Sequence, residues 1–161
     1  MQAFRRLQNH PALLERAYKM TVVTLERMKP LLERIGFERL EGVFEGAERT
    51  SKQAIFDCQM CGQCTLHTTG MTCPMTCPKN LRNGPCGGVR QDGNCEIIPD
   101  MKCVWFEAWE RSEDMMIYTD DIMIIQPPLD RRLEGTSAFI NMLDIENRDV
   151  PDTWGEIVHH D

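Results

Sequence analysis

The chain has 161 residues and a formal net charge of -7, a length that holds one ordinary domain or a small domain with two arms and excludes a large enzyme barrel. Phe4-Arg5-Arg6-Leu7-Gln8-Asn9-His10 breaks any secretory apolar run, and no stretch approaches membrane length. The charge concentrates in residues 104–161, with four Lys/Arg against fourteen acids, while residues 1–57 carry ten against eight, a balance that argues against nucleic acid or an anionic membrane as partner.

Residues 11–35 read as one amphipathic helix. Asn9 is the expected cap, Pro11 suits the first turn and Gly36 suits the stop. Leu14, Tyr18, Thr21, Leu25, Met28, Leu32 and Ile35 make one stripe at alternating steps of four and three, with Pro30 expected to kink it. The stripe packs either on this chain's own core or on a partner protein. Residues 37–57, with Gly42 and Gly46 among Glu and Arg, read as a connector anchored by Val43, Phe44, Ile55 and Phe56.

All eight cysteines then fall between residues 58 and 103, with Pro74, Pro78, Pro85 and Pro99 and six glycines. Such a segment has too little aliphatic volume to fold on burial alone, so bound metal is expected to hold it. No leader is expected, which predicts a reducing cytoplasm, where cysteines serve as ligands or redox groups and not as disulfides. The string is Cys58, Cys61, Cys64, Cys73, Cys77, Cys86, Cys95 and Cys103. The first three, at two-residue intervals, let one loop wrap three corners of an iron-sulfur cubane while a fourth thiolate arrives from elsewhere. Eight thiolates suffice for two 4Fe-4S clusters, and equally for one 4Fe-4S cluster plus one zinc.

Asn83-Gly84-Pro85-Cys86-Gly87-Gly88 lets backbone amides approach a ligand sulfur. It is not a nucleotide loop: no G-x-G-x-x-G or P-loop is present. Lys79, Arg82, Arg90 and Lys102 lie among the ligands, and the face near Lys79, Arg82 and Arg90 is the expected dock for an acidic ferredoxin. Trp105, Phe106 and Trp109 are expected to wall a cluster from water, and His67 to be a surface or packing residue. A helical pattern resumes at 105–115, and 116–125 reads as a short strand or extended arm ended by Pro127-Pro128. His159 and His160 are expected to fray at the end.

The fold class expected is therefore α plus irregular. It comprises an N-terminal helix and connector (1–57), a compact cysteine-rich cluster domain with little regular structure (58–111) toward whose end the short helix begins, and an extended acidic, partner-contacting C-terminal arm (112–161). No nucleophile with its base and no paired carboxylates suggest catalysis by this chain alone.

At Cys58-Gln59-Met60-Cys61-Gly62-Gln63-Cys64, and again from Cys73 through Cys77-Pro78-Lys79-Asn80-Leu81-Arg82-Asn83-Gly84-Pro85-Cys86-Gly87-Gly88, the sequence resembles the methylenetetrahydrofolate reductase C-terminal domain family. The likeness continues through Gly93-Asn94-Cys95-Glu96 and Cys103-Val104-Trp105, with a weaker echo at Pro127-Pro128-Leu129-Asp130. It implies a cysteine-rich small subunit of the two-subunit bacterial reductases, with all eight cysteines as metal ligands. The implied partner is a separate flavin-bearing barrel that reduces methylenetetrahydrofolate to methyltetrahydrofolate. A structural zinc module bracing that complex, and a redox partner in another methyl-transfer or corrinoid system, remain alternatives.

Overall fold

The structure, a computed structural model, describes residues 6–144. Its regular elements are helical: α1 (Pro11–Ile35), α2 (Phe37–Phe56), α3 (Val104–Glu113) and α4 (Ala138–Leu143), joined by short 3-10 turns. Among the described residues the only β pairing is an isolated antiparallel bridge between Asn94 and Lys102.

Helix α1 has the predicted bounds. Pro11 occupies its first turn, though the cap is His10 and not Asn9. Its stop is Gly36, at φ +95°, whose N–H donates to the Leu32 carbonyl at 3.0 Å. A positive φ suits glycine, which has no Cβ to clash. The helix runs through Pro30 as one element, so no new helix starts there. Of the stripe, Leu14, Leu25 and Leu32 are buried, Tyr18 is half-buried, and Met28 and Ile35 are exposed. The buried members pack on this chain's own core. Leu25 and Leu32 meet Leu143, with Phe37, Leu40, Phe44 and Phe139 closing around them.

The expected connector is instead the 20-residue helix α2. Its glycines disguise it. Gly42 and Gly46 lie on the exposed face with nothing close to them, where glycine costs about 1 kcal/mol each against alanine. On the other face Phe37, Leu40, Phe44, Glu48, Lys52 and Phe56 recur at helical spacing toward the core. Two of those six are charged, which hid the stripe from a search for apolar periodicity.

No strand forms at 116–125. Residues Thr119–Met123 are a 3-10 turn, and the chain before them is tied to α1 by Glu15. That carboxylate is fully buried and accepts from the N–H of Met116 at 2.8 Å and of Ile117 at 2.9 Å. Ionic acceptance of two backbone donors compensates its burial. Nor do residues 129–144 extend away. Gln63 holds Asp130, and α4 packs between α1 and α2. His159, His160 and the last acidic residues lie outside the described residues.

His67 is a packing residue, as expected. Its ring stacks on Tyr18 (centroids 5.4 Å apart) and meets the edge of Tyr118 at 5.5 Å. Its Nδ1 is buried without a hydrogen-bond partner among the described residues. Burial pulls the imidazole down from 6.5 to about 4. Between those values the unfolded chain takes up a proton that the folded chain refuses, so stability falls as pH drops through the window, by at most about 1.4 kcal/mol per unit. His67→Phe is expected to flatten this slope between pH 6.5 and 4 in parallel denaturant titrations. Superimposable slopes would show that His67 is not the group responsible.

Candidate metal centre

The eight cysteines are free thiols, and the fold sorts them into two sets of four. Cys58, Cys61, Cys64 and Cys73 line one cleft, with Glu48, Lys52, Met60, Gly62, Thr65 and Met75 among its other walls. Cys77, Cys86, Cys95 and Cys103 line a second, with Lys79, Gly88, Val89, Glu96 and Trp105. Every cysteine named from the sequence is accounted for, and the fourth member of the first set is Cys73.

The first loop starts where α2 ends. Asp57 takes a left-handed conformation, φ 51°, and turns the chain so that Cys58 follows directly. Met60 repeats that conformation and its N–H donates to Cys58 Sγ at 3.4 Å. Residues that come late in the chain clamp the loop. Gly135 N–H donates to the Met60 carbonyl at 2.7 Å, Asn141 Nδ2 to the Gly62 carbonyl at 2.6 Å, and Gln63 Nε2 to the Asp130 carbonyl at 2.9 Å. Arg82 closes the other side, donating to the carbonyls of Gln63 and Pro127.

Cys73 and Cys77 cap the two ends of one 3-10 turn, Pro74–Thr76, in which Pro74 supplies a fixed φ and lacks an N–H that would need a partner. The turn sends one cysteine to each cleft. In the second set, the Asn94–Lys102 bridge pinches the chain: Cys95 N–H donates to the Met101 carbonyl at 2.8 Å and Cys103 N–H to the Gly93 carbonyl at 3.0 Å. Cys103 caps α3, and Trp105 Nε1 anchors that helix to the Leu81 carbonyl at 2.9 Å. Gly88 N–H reaches Cys86 Sγ at 3.3 Å, the close amide approach expected of the glycine-rich run.

Thiol acidities differ with surroundings. The hydrogen bond with Cys73 holds Cys58 at about 6, assisted against burial by Met60 N–H and the Lys52 ammonium. Cys73, the other member of that bond and itself buried, is pushed far up. Burial also raises Cys61, while the N–H groups of Ile98 and Ile97 lower Cys95. Among the described residues no group of three His, Cys, Asp or Glu side chains is gathered so as to hold a single metal ion. The sulfurs of each set border a volume. Four soft donors around such a volume, with backbone N–H groups pointing at two of the sulfurs, fit the ligand chemistry of an iron-sulfur cluster.

Two expectations about neighbouring residues need correction. Of the three aromatics, Trp105 lines a cleft, whereas Phe106 and Trp109 are exposed, because a ten-residue helix turns them to another face. The basic face does not exist as expected. Arg82 is buried in structural hydrogen bonds, and Lys79, Arg90 and Lys102 pair with Glu96, Asp92 and Glu110. What surrounds the second set is charge-paired and partly apolar, with Val89, Ile97, Ile98 and Phe106 exposed. Sequence reading also missed Glu48 and Lys52 in the first cleft. Their i,i+4 spacing was visible, but only within a helix does it place both on one face.

No helix among the described residues is long and apolar enough to cross a membrane. No curated protein and no solved structure matches the chain. A family model described as methylene-tetrahydrofolate reductase C terminal matches residues 37–132, a stretch that takes in α2, both cysteine sets and α3. With more than half its length matched, the chain belongs to the methylene-tetrahydrofolate reductase C-terminal family.

Proposed function

We propose that this chain is the iron-sulfur, electron-transferring subunit of a methylenetetrahydrofolate reductase complex, relaying electrons to or from a flavin-bearing partner that interconverts methylenetetrahydrofolate and methyltetrahydrofolate. The observation that carries this reading is the division of eight cysteines into two clefts of four. Family membership supports the association with the reductase.

In this reading Cys58, Cys61, Cys64 and Cys73 hold one 4Fe-4S cluster, and Cys77, Cys86, Cys95 and Cys103 hold the other. Bound clusters of this kind accept and release single electrons. The chain's own residues do the rest. The buried Met60, Met75 and Leu66 keep water from the first site, and Trp105 covers part of the second. Cys86 is the exposed ligand, which puts the second site nearest to an incoming partner. No dinucleotide fingerprint is present, so the electron donor is a flavin or another iron-sulfur protein, such as a ferredoxin. The paired charges around the second site predict weak salt dependence of that encounter.

Anaerobic purification with iron, zinc and acid-labile sulfide analysis tests the proposal. A brown chain carrying iron and sulfide is expected, with electron transfer to the copurified flavoprotein in stopped-flow mixing. Colourless protein holding zinc alone would establish the structural-module alternative in its place.

A further inference from the structure

A buried ion pair stands beside the first cysteine set. Glu48 and Lys52 lie one turn apart on the inner face of α2, 4% and 6% exposed, and both line the first cleft. The Lys52 ammonium donates to Glu48 Oε2 at 2.5 Å and sits 4.0 Å from the centroid of the Phe139 ring. The other carboxylate oxygen accepts from Ser137 Oγ and, at 3.0 Å, from Phe139 N–H. The carboxylate and the ring therefore hold the cation, and two donors hold the carboxylate.

Packing alone gives little reason for this pair. Buried ion pairs are often no more stabilising than apolar residues of the same volume, because desolvation offsets the attraction. Position gives a better reason. Helix α2 ends at Phe56, one residue before Asp57 and two before Cys58, so its C-terminal carbonyls, the negative end of the helix dipole, face the first cysteine loop. That end opposes negative charge on the thiolates. Lys52 sits in the last turn and a half, nearer the cysteines than Glu48. The Glu48 carboxylate and the Phe139 ring hold the ammonium at the wall of the first cleft.

We propose that Lys52 is a positioning residue that raises the reduction potential of the group bound by Cys58, Cys61, Cys64 and Cys73, with Glu48 fixing its ammonium and moderating the effect. This rests on the iron-sulfur reading above. Reduction adds one electron to the site, and a fixed buried cation favours the more negative state. Glu48 acts in the opposite direction, since an anion disfavours the added electron.

The test uses the full chain reconstituted anaerobically, with iron and sulfide analysis followed by a redox titration monitored by electron paramagnetic resonance. Lys52→Met is expected to lower one of two midpoint potentials by at least tenfold in the one-electron equilibrium constant, about 59 mV, and leave the other in place. Lys52→Arg should stay near the parent, and Glu48→Gln should move the same signal upward. Iron-loaded Lys52→Met with both potentials unchanged overturns the proposal alone. A parent chain that takes up no iron overturns the reading beneath it. If Lys52→Met fails to load, Lys52→Gln is the second neutral variant. Loading by Lys52→Arg and by neither neutral variant assigns the charge to assembly of the site and not to its potential, and failure of Lys52→Arg as well assigns Lys52 to packing; either result overturns the proposal.

Discussion

Replacing Cys73 and Cys77 together by alanine is expected to empty both metal sites, whereas replacing Cys58 and Cys73 together empties only one. The two residues of the first pair stand four apart in sequence, at either end of a single 3-10 turn, yet face different clefts. The second pair is fifteen positions apart and shares one. A four-thiolate cluster that loses one ligand usually loses its metal, so a second loss in the same set adds nothing. Iron and labile sulfide per chain should fall by about half in Cys58→Ala, Cys73→Ala and their double, and nearly to zero in Cys73→Ala with Cys77→Ala. The halved variants should also lose resistance to proteolysis around the emptied loop alone, because ligation there substitutes for apolar burial. A Cys73/Cys77 double variant that keeps half the metal would show that these two belong to one site and that the clefts do not define the ligand sets.

Gly62→Ala is expected to cost roughly 2–5 kcal/mol, combining left-handed backbone strain with overpacking. Gly62 has φ +72°, and a Cβ there would stand 2.1 Å from the Leu133 carbonyl oxygen and 2.8 Å from Thr136 Oγ1. Neither neighbour can yield easily. Leu133 O accepts from both the backbone N–H and the hydroxyl of Thr136, and Asn141 bridges Thr136 to Gly62 itself. A methyl group would push the 133–141 segment away from the first cysteine loop and lower loading of that site. Gly42→Ala provides the contrast. Nothing lies within 4 Å of its Cβ, and in the interior of α2 alanine should gain about 0.5–1 kcal/mol. Anaerobic denaturant titrations of the two variants should move in opposite directions. Unaltered stability in Gly62→Ala would mean that the clamp on the loop is loose.

Helix α1 was legible from the sequence because its signals are local: Pro11 in the first turn, Gly36 at the stop, and Leu14, Leu25 and Leu32 on one stripe between them. So was the crowding of eight cysteines among glycine and proline, which points to the family to which the chain belongs. Helix α2 was not legible, since its inner face carries Glu48 and Lys52 and its outer face two glycines. Hydrophobic periodicity cannot register a stripe whose burial is compensated by an ion pair and by hydrogen bonds to Ser137 and Phe139, about ninety residues later. Cysteine spacing could not decide which thiols share a site either. Cys73 and Cys77 differ in partner set because of the direction in which one turn points them, and Arg82 and Asn141 hold the loops in place through contacts that no local pattern encodes. What the sequence determined by itself was the supply of eight thiols in one short segment and the one long helix with a clean apolar face. The tertiary structure decided which thiols share a cleft and which charges stand beside them, because both depend on donors and acceptors brought together from positions far apart in the chain.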